Sequence, residues 1–173
     1  MSQIKLVLPS FDRKDKAIAF RQEFFDIGEM VISGSYKFDM ADKYTYEEWV
    51  ELIHTNLDGN LCNPKFGVSE TYFAIDEDDE IVGIINFRHT ITDFYKDLGH
   101  IGYSTRPSRR CQGIATEMLK IVLDKAKEIG LAEVLLVCKD SNIPSKKTII
   151  KNGGKETRTF GEEEKRCEYK IIL

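Results

Sequence analysis

Long apolar runs are missing from this chain of 173 residues. None approaches the roughly 20 consecutive apolar residues that a helix needs to cross a bilayer, so no membrane partner is expected. Cysteine is scarce. Cys62, Cys111, Cys138 and Cys167 form no C-x-x-C pair and show no histidine spacing typical of zinc, so no metal is expected. The N-terminus, MSQIKLVLPSFDRK, reads as a strand and then a charged helix rather than a signal peptide. Lone cysteines without an export signal point to reduced thiols in the cytoplasm. Positive net charge is lacking too: the formal balance is −4, which argues against nucleic acid as a partner, because phosphate neutralisation needs a basic surface. No G-x-G-x-x-G follows the first strand, which removes a dinucleotide-binding Rossmann domain. Repeats and low-complexity segments are absent. What remains, 42% hydrophobic and 31% charged, is ordinary globular composition and fits one domain over residues 1–173.

The most informative stretch present is Thr105-Arg106-Pro107-Ser108-Arg109-Arg110-Cys111-Gln112-Gly113-Ile114-Ala115-Thr116-Glu117-Met118. An apolar strand stops at Pro107, a loop with three arginines follows, and a helix opens after a glycine. Backbone N–H groups at a helix start have no intrahelical partner and sit at the positive end of the helix dipole. Arginines beside them would complete a site for phosphate or pyrophosphate. Gly113 would let the backbone approach an oxygen ligand closely, having no Cβ.

The rest of the chain supplies a scaffold. Residues 3–8 predict a strand, and apolar spacing predicts a helix over 12–29 through Ala17, Ile18, Phe20, Phe24, Phe25 and Ile27. Thr45-Tyr46-Glu47-Glu48 matches a capping box before a helix that presents Trp49, Leu52, Ile53 and Leu57. Residues 71–76 and 81–91 read as a hairpin across the acidic turn 77–80, and 100–105 as the next strand. A long helix over 112–129 buries a stripe through Ala115, Met118, Val122, Ala126 and Ile129. The apolar run 133–138 predicts a strand covered on both faces. A helix from Asp140-Ser141 to Asn152-Gly153-Gly154 and two strands, 155–160 and 166–172, complete the order β-α-α-β-β-β-α-β-α-β-β.

Arg110-Cys111-Gln112-Gly113-Ile114-Ala115 resembles the Arg/Gln-x-x-Gly-x-Gly/Ala signature of the GNAT superfamily of N-acetyltransferases. Asn142-Ile143-Pro144-Ser145, with Gly153-Gly154 at the helix end, looks like that family's second motif, in the right order and spacing. The phrase GHIGYSTRPS further resembles a bacterial GNAT subgroup whose members mostly lack a settled substrate. The resemblance spans most of the chain and is strongest over 71–154. It implies a single-domain α/β GNAT fold, a mixed central sheet of about seven strands flanked by about four helices, with strands 4 and 5 splayed around acetyl-CoA. It also implies transfer of the acetyl group of acetyl-CoA to a primary amine by direct attack in a ternary complex. Carried over by position, Ser104 and Thr105 would meet the pantetheine arm. Arg110, Cys111, Gln112, Gly113, Ile114, Ala115 and Thr116 would hold the pyrophosphate. Asn142, Ser145 and Lys146 would line the arm and the adenosine phosphates.

The chemistry needs a base for the amine, donors for the thioester oxygen and a proton for the departing sulfur. Many relatives place a tyrosine seven residues after the Asn for that last task; here the position is Ile149. Tyr103, on the strand beside the expected thioester, is the replacement candidate. His100 and His89 are candidates for the base, since histidine titrates near neutral pH. Glu23 and Glu29 are further alternatives. Arg88 could hold a substrate carboxylate. The acceptor is an amine of a small molecule or a peptide, framed by loops 33–44 and 58–69, where Asp39, Asp42 and Asp58 could attract a cation. A homodimer is possible if the last strand exposes apolar residues. The other class of function open to this sequence is a non-catalytic acyl-CoA-binding or regulatory module.

Overall fold

A computed structural model describes residues 3–173. The first half runs β1 (Lys5–Val7), α1 (Lys14–Asp26), α2 (Tyr46–Thr55), β2 (Ser69–Ile75), β3 (Ile81–Arg88) and β4 (Ile101–Thr105). The second runs α3 (Ile114–Glu128), β5 (Glu133–Lys139), α4 (Ile143–Lys151), β6 (Lys155–Phe160) and β7 (Arg166–Ile172). Short 3-10 turns precede α1, interrupt the β3–β4 connection and follow β4.

The strands form two antiparallel sheets, ordered β1-β2-β3-β4 and β5-β7-β6. They meet through a single bridge between Gly99 and Leu136, at the very start of β4. Beyond it β4 and β5 part, so the sheet is split by a wedge-shaped gap. Helix α3 spans that split. Its buried stripe, Ile114, Met118, Leu119, Val122, Leu123 and Ala126, packs in one core with side chains of both sheets, including Val82, Ile85, Phe87, Val134, Leu136 and Tyr169. Ile129, expected in the stripe, lies past the last helical turn and is exposed.

A second core lies on the opposite face and covers only the four-stranded sheet. Ala17, Phe20 and Phe24 of α1 sit at i, i+3 and i+7 and bury completely against Trp49, Phe38 and Phe73. The Phe38 and Trp49 rings lie 4.5 Å apart. Helix α2 starts with the expected capping box: the Thr45 hydroxyl accepts the Glu48 N–H at 3.2 Å and the Glu48 carboxylate accepts the Thr45 N–H at 2.8 Å.

Because α1 and α2 pack on β2 and β3, the same face of β5 is left outside their core. Val134, Leu136 and Cys138 are buried while Leu135 and Val137 are only half-buried. The apolar run at 133–138 therefore covers one face, not two, and the uncovered face borders the gap. Strand β6 is exposed along nearly its whole length, and of the apolar residues of β7 only Ile172 is exposed.

Candidate active site

The gap is edged by backbone. The Arg88 N–H donates to the His100 carbonyl at 2.7 Å and the Arg106 N–H to the Val82 carbonyl at 2.9 Å. Antiparallel pairing alternates, so Ile101, Tyr103 and Thr105 turn their N–H and C=O groups away from β3, into the gap. An extended, amide-bearing arm could pair with that edge.

His100 makes the apex. Its N–H donates to the Leu135 carbonyl at 2.7 Å, and its ring Nδ1 accepts the Leu135 N–H at 2.9 Å. Burial and the nearby Arg88 cation hold the imidazole below its ordinary pKa, against a small pull from Glu133. It is a neutral clip between the sheets, with Nδ1 fully engaged. The depressed pKa fixes a sign. The unfolded chain takes up the His100 proton first as pH falls through about 6.5, so this residue's contribution is full above that value and is lost below it. Urea midpoints between pH 7 and 5 should fall more steeply for the wild type than for His100→Gln, whose amide oxygen still accepts an N–H. Parallel slopes would remove the clip.

At the other end of β4 the loop is built as foreseen in backbone but not in charge. Cys111 (φ 62°) and Gly113 (φ 82°) both adopt left-handed conformations. Alternation of this kind points successive N–H groups toward one concavity, an anion nest, which here opens onto the first turn of α3. Only glycine takes that conformation without cost, so Cys111 carries local strain. The three arginines, however, are spoken for. Arg106 meets Glu23 at 2.7 Å, Arg109 meets Asp76 at 2.8 Å, and Arg110 forms a two-pronged pair with Glu29 at 2.9 and 2.6 Å. Arg110 in turn holds the Glu29 carboxyl below its usual range. Partly exposed ion pairs contribute little stability, about 0–1 kcal/mol each. Their effect is to tether the loop to α1, to the segment after it and to the β2–β3 turn. Glu23 and Glu29 are thus structural anchors in this arrangement rather than free bases.

Tyr103 crosses the gap on the α3 side. Its hydroxyl lies 2.9 Å from Ser145 Oγ, and burial pushes its pKa up to about 12. Ser145 belongs to the first turn of α4, which Asn142 caps by accepting the Ser145 N–H at 3.1 Å. Lys146 is paired with Asp140, which raises its pKa. Ile149, where relatives carry tyrosine, is buried in the core. His89 lies past the end of β3 and pairs with Glu70 at 3.1 Å, which also accepts the Tyr72 hydroxyl at 2.7 Å. That cluster sits at the opposite end of the sheet from the nest. Asp39 accepts the Ile32 N–H and Asp58 the Asn60 N–H, so both acids are used within their own turns.

A family model described as the acetyltransferase (GNAT) domain matches residues 6–155. The chain belongs to the GNAT acetyltransferase family. It is thereby an acetyl-CoA-dependent enzyme, and the family's chemistry needs no metal. No curated protein sequence matches the chain. Among solved structures, the microcin C7 self-immunity acetyltransferase MccE, in complex with acetyl-CoA and AMP, shares 16% identity at a TM-score of 0.71, covering 100% of this chain and 94% of that one. Mycobacterium smegmatis RimJ, in complex with CoA-disulfide, shares 16% at 0.71, covering 98% and 81%. The Salmonella typhimurium acetyl transferase that modifies the N-terminal serine of ribosomal protein L7/L12 shares 17% at 0.68, covering 100% and 96%. At such identities the likeness is one of GNAT fold. Among the described residues no helix is long and apolar enough to cross a membrane.

Proposed function

We propose that this chain, as one GNAT domain over residues 1–173 working in the reducing cytoplasm, transfers the acetyl group of acetyl-CoA to a primary amine of a small molecule or peptide, by direct attack in a ternary complex. The observation that carries this is the succession along one stretch of chain: the outward edge of β4 ends at Thr105, and one 3-10 turn later the nest opens at Cys111–Gly113. The residues fit acetyl-CoA on that observation. Thr105 lies where the pantetheine arm would pair, whereas Ser104 turns its backbone to β3 and donates its hydroxyl to the Ser33 carbonyl. The N–H groups of Cys111 to Thr116 would receive the pyrophosphate, the Arg110 N–H being donated to the Pro107 carbonyl, and Asn142, Ser145 and Lys146 border the arm from α4. Acetyl-CoA, when bound, supplies the activated acetyl group and leaves as the free thiol. The chain's own part is to orient, to exclude water and to hold a proton. Tyr103 holds that proton on its hydroxyl, in a position steadied by Ser145 Oγ. His100 shapes the apex rather than acting as base, because its Nδ1 is occupied, and His89 is held by Glu70.

A second reading, an acyl-CoA-binding module without turnover, is favoured by one fact: the family's usual tyrosine position is the buried Ile149. Calorimetric titration of CoA together with thiol release over an amine panel separates the two. The expected result is CoA binding with turnover of at least one amine. Binding without turnover of any amine would leave the module.

A further inference from the structure

The face of the sheet opposite Tyr103 carries a concentration of buried polar groups without partners. Asn56, Ser69 and Asn86 are 3%, 2% and 1% exposed, and Ser69 Oγ, Asn86 Oδ1 and Arg88 Nε each lack a hydrogen-bond partner, as does Asn56 Nδ2 apart from a long contact with the Tyr36 phenol. Topology puts them together. Ser69 and Arg88 are register partners across β2 and β3, the Ser69 N–H donates to the Asn56 carbonyl at 3.1 Å, and Asn86 lies two residues from Arg88 on the same face. Asn86 is also the register partner of Gly102, next to Tyr103 on β4. Each such group would cost about 1–3 kcal/mol if left unpaired, so four in one place mark a site built to receive something polar.

Charge says what. Arg88 donates to the Gly99 carbonyl at 2.9 Å and stacks 4.2 Å over the Tyr95 ring, yet pairs with no carboxylate among the described residues. The arginines of the nest loop, by contrast, all do. Burial lowers its pKa, and the groups facing it are the phenols of Tyr95 and Tyr36 and the neutral His100. A buried guanidinium without a counter-ion is costly, and a ligand carboxylate relieves it through two parallel N–H bonds. Arg88 itself stays partly exposed, so the cluster meets the surface at this residue. The fourth group has the opposite sense. Asn86 Nδ2 donates to the Glu70 carbonyl and to Thr71 Oγ1, which fixes the amide so that its free Oδ1 is an acceptor, suited to an amine.

Resting on the acetyl-transfer reading, we infer that the acceptor is an amine that also bears a carboxylate, an α-amino-acid-type substrate. Arg88, Ser69 and Asn56 hold its carboxylate, and Asn86 Oδ1 holds its amine beneath β4. The test is thiol release with glycine, L-alanine and L-phenylalanine against their carboxamides and against putrescine, at saturating acetyl-CoA. At least one acid should exceed its own carboxamide about 30-fold in kcat/KM, in line with the loss of a hydrogen-bonded charge. Arg88→Met should erase that preference by raising KM for the acid far more than for the carboxamide; Arg88→Lys should restore part of it. Equal use of acid and carboxamide, preference for putrescine, or an equal loss on both substrates in Arg88→Met would overturn the inference. Should Arg88→Met fail to fold, the wild-type acid-to-carboxamide ratio decides alone. Should no amine be turned over, the acetyl-transfer reading fails separately. N-acetylglycine and N-acetyl-L-phenylalanine titrated into the CoA complex then decide: saturable binding weakened in Arg88→Lys supports the site, and no binding, or binding indifferent to the substitution, overturns it.

Discussion

Gly113→Glu is expected to abolish CoA binding while leaving a folded protein. Gly113 sits at φ 82°, ψ 0°, immediately before the first residue of α3. Any L-residue there costs roughly 1–2 kcal/mol in backbone strain. A glutamate adds two further effects at the same point: a side chain in the concavity where the N–H groups converge, and a negative charge at the positive end of the α3 dipole, where it competes with a phosphate for the same donors. Gly113→Ala separates these contributions. It carries the strain without the charge and should weaken CoA several-fold, whereas the glutamate should remove detectable heat in a calorimetric titration. Thermal unfolding of both variants should show similar, modest losses. Unchanged CoA affinity in Gly113→Glu would sink the nest as the pyrophosphate site.

The order and kind of the elements were legible because each is announced locally. The Thr45–Glu48 capping box, the i, i+3, i+7 spacing of Ala17, Phe20 and Phe24, and the apolar strands separated by the acidic turn 77–80 are all patterns within a few residues. Burial was less legible where it depends on a distant neighbour. Residues 133–138 have the composition of a doubly covered strand, but coverage is set by where α1 and α2 lie in space, and they pack on β2 and β3. Likewise Ile129 continues the α3 stripe by spacing, while the helix stops at Glu128.

The site divided in the same way. Gly113 could be picked out by residue type, for its missing Cβ, whereas the start of α4 reads at Asp140-Ser141 and lies at Asn142, whose side chain accepts the Ser145 N–H. The three arginines of the loop could not be assigned from sequence, because their carboxylate partners lie between 33 and 83 residues away, on α1, just after it and in the β2–β3 turn. The sequence shows a basic loop; folding makes it a tethered one whose anion site is mostly backbone. His100 illustrates the converse. A histidine on a strand looks like a candidate base until its Nδ1 is found on the Leu135 amide. The polar cluster on β2, β3 and the end of α2 had only one visible member, Arg88. Asn56, Ser69 and Asn86 are ordinary residues in sequence and become a set only through the β2–β3 register and the end of α2.

Tyr103→Phe carries the largest expected effect on turnover. A group that delivers a proton to a departing sulfur must be protonated at working pH and must keep its O–H directed. Tyr103 meets both conditions: burial pushes its pKa up to about 12, and Ser145 Oγ, 2.9 Å away, fixes the hydroxyl against rotation. Its ring packs with the α3-side core, so removing one oxygen leaves the packing in place at a stability cost of about 1 kcal/mol. General acid catalysis is typically worth 10²- to 10⁴-fold, so kcat should fall about 100-fold or more with CoA affinity unchanged. Ser145→Ala should lower kcat less, because the phenol survives and only its orientation loosens. The pH profile gives a second readout. Tyr103 stays protonated far above neutrality, so wild-type kcat should not decline between pH 7 and 10 through this group. An acid with an ordinary tyrosine pKa near 10 would already be half deprotonated at the upper limit. Full activity in Tyr103→Phe would take the residue out of the mechanism and leave solvent at the mouth of the gap as the proton source. An equal fall in kcat and in CoA affinity would make it a packing residue of the pantetheine channel instead.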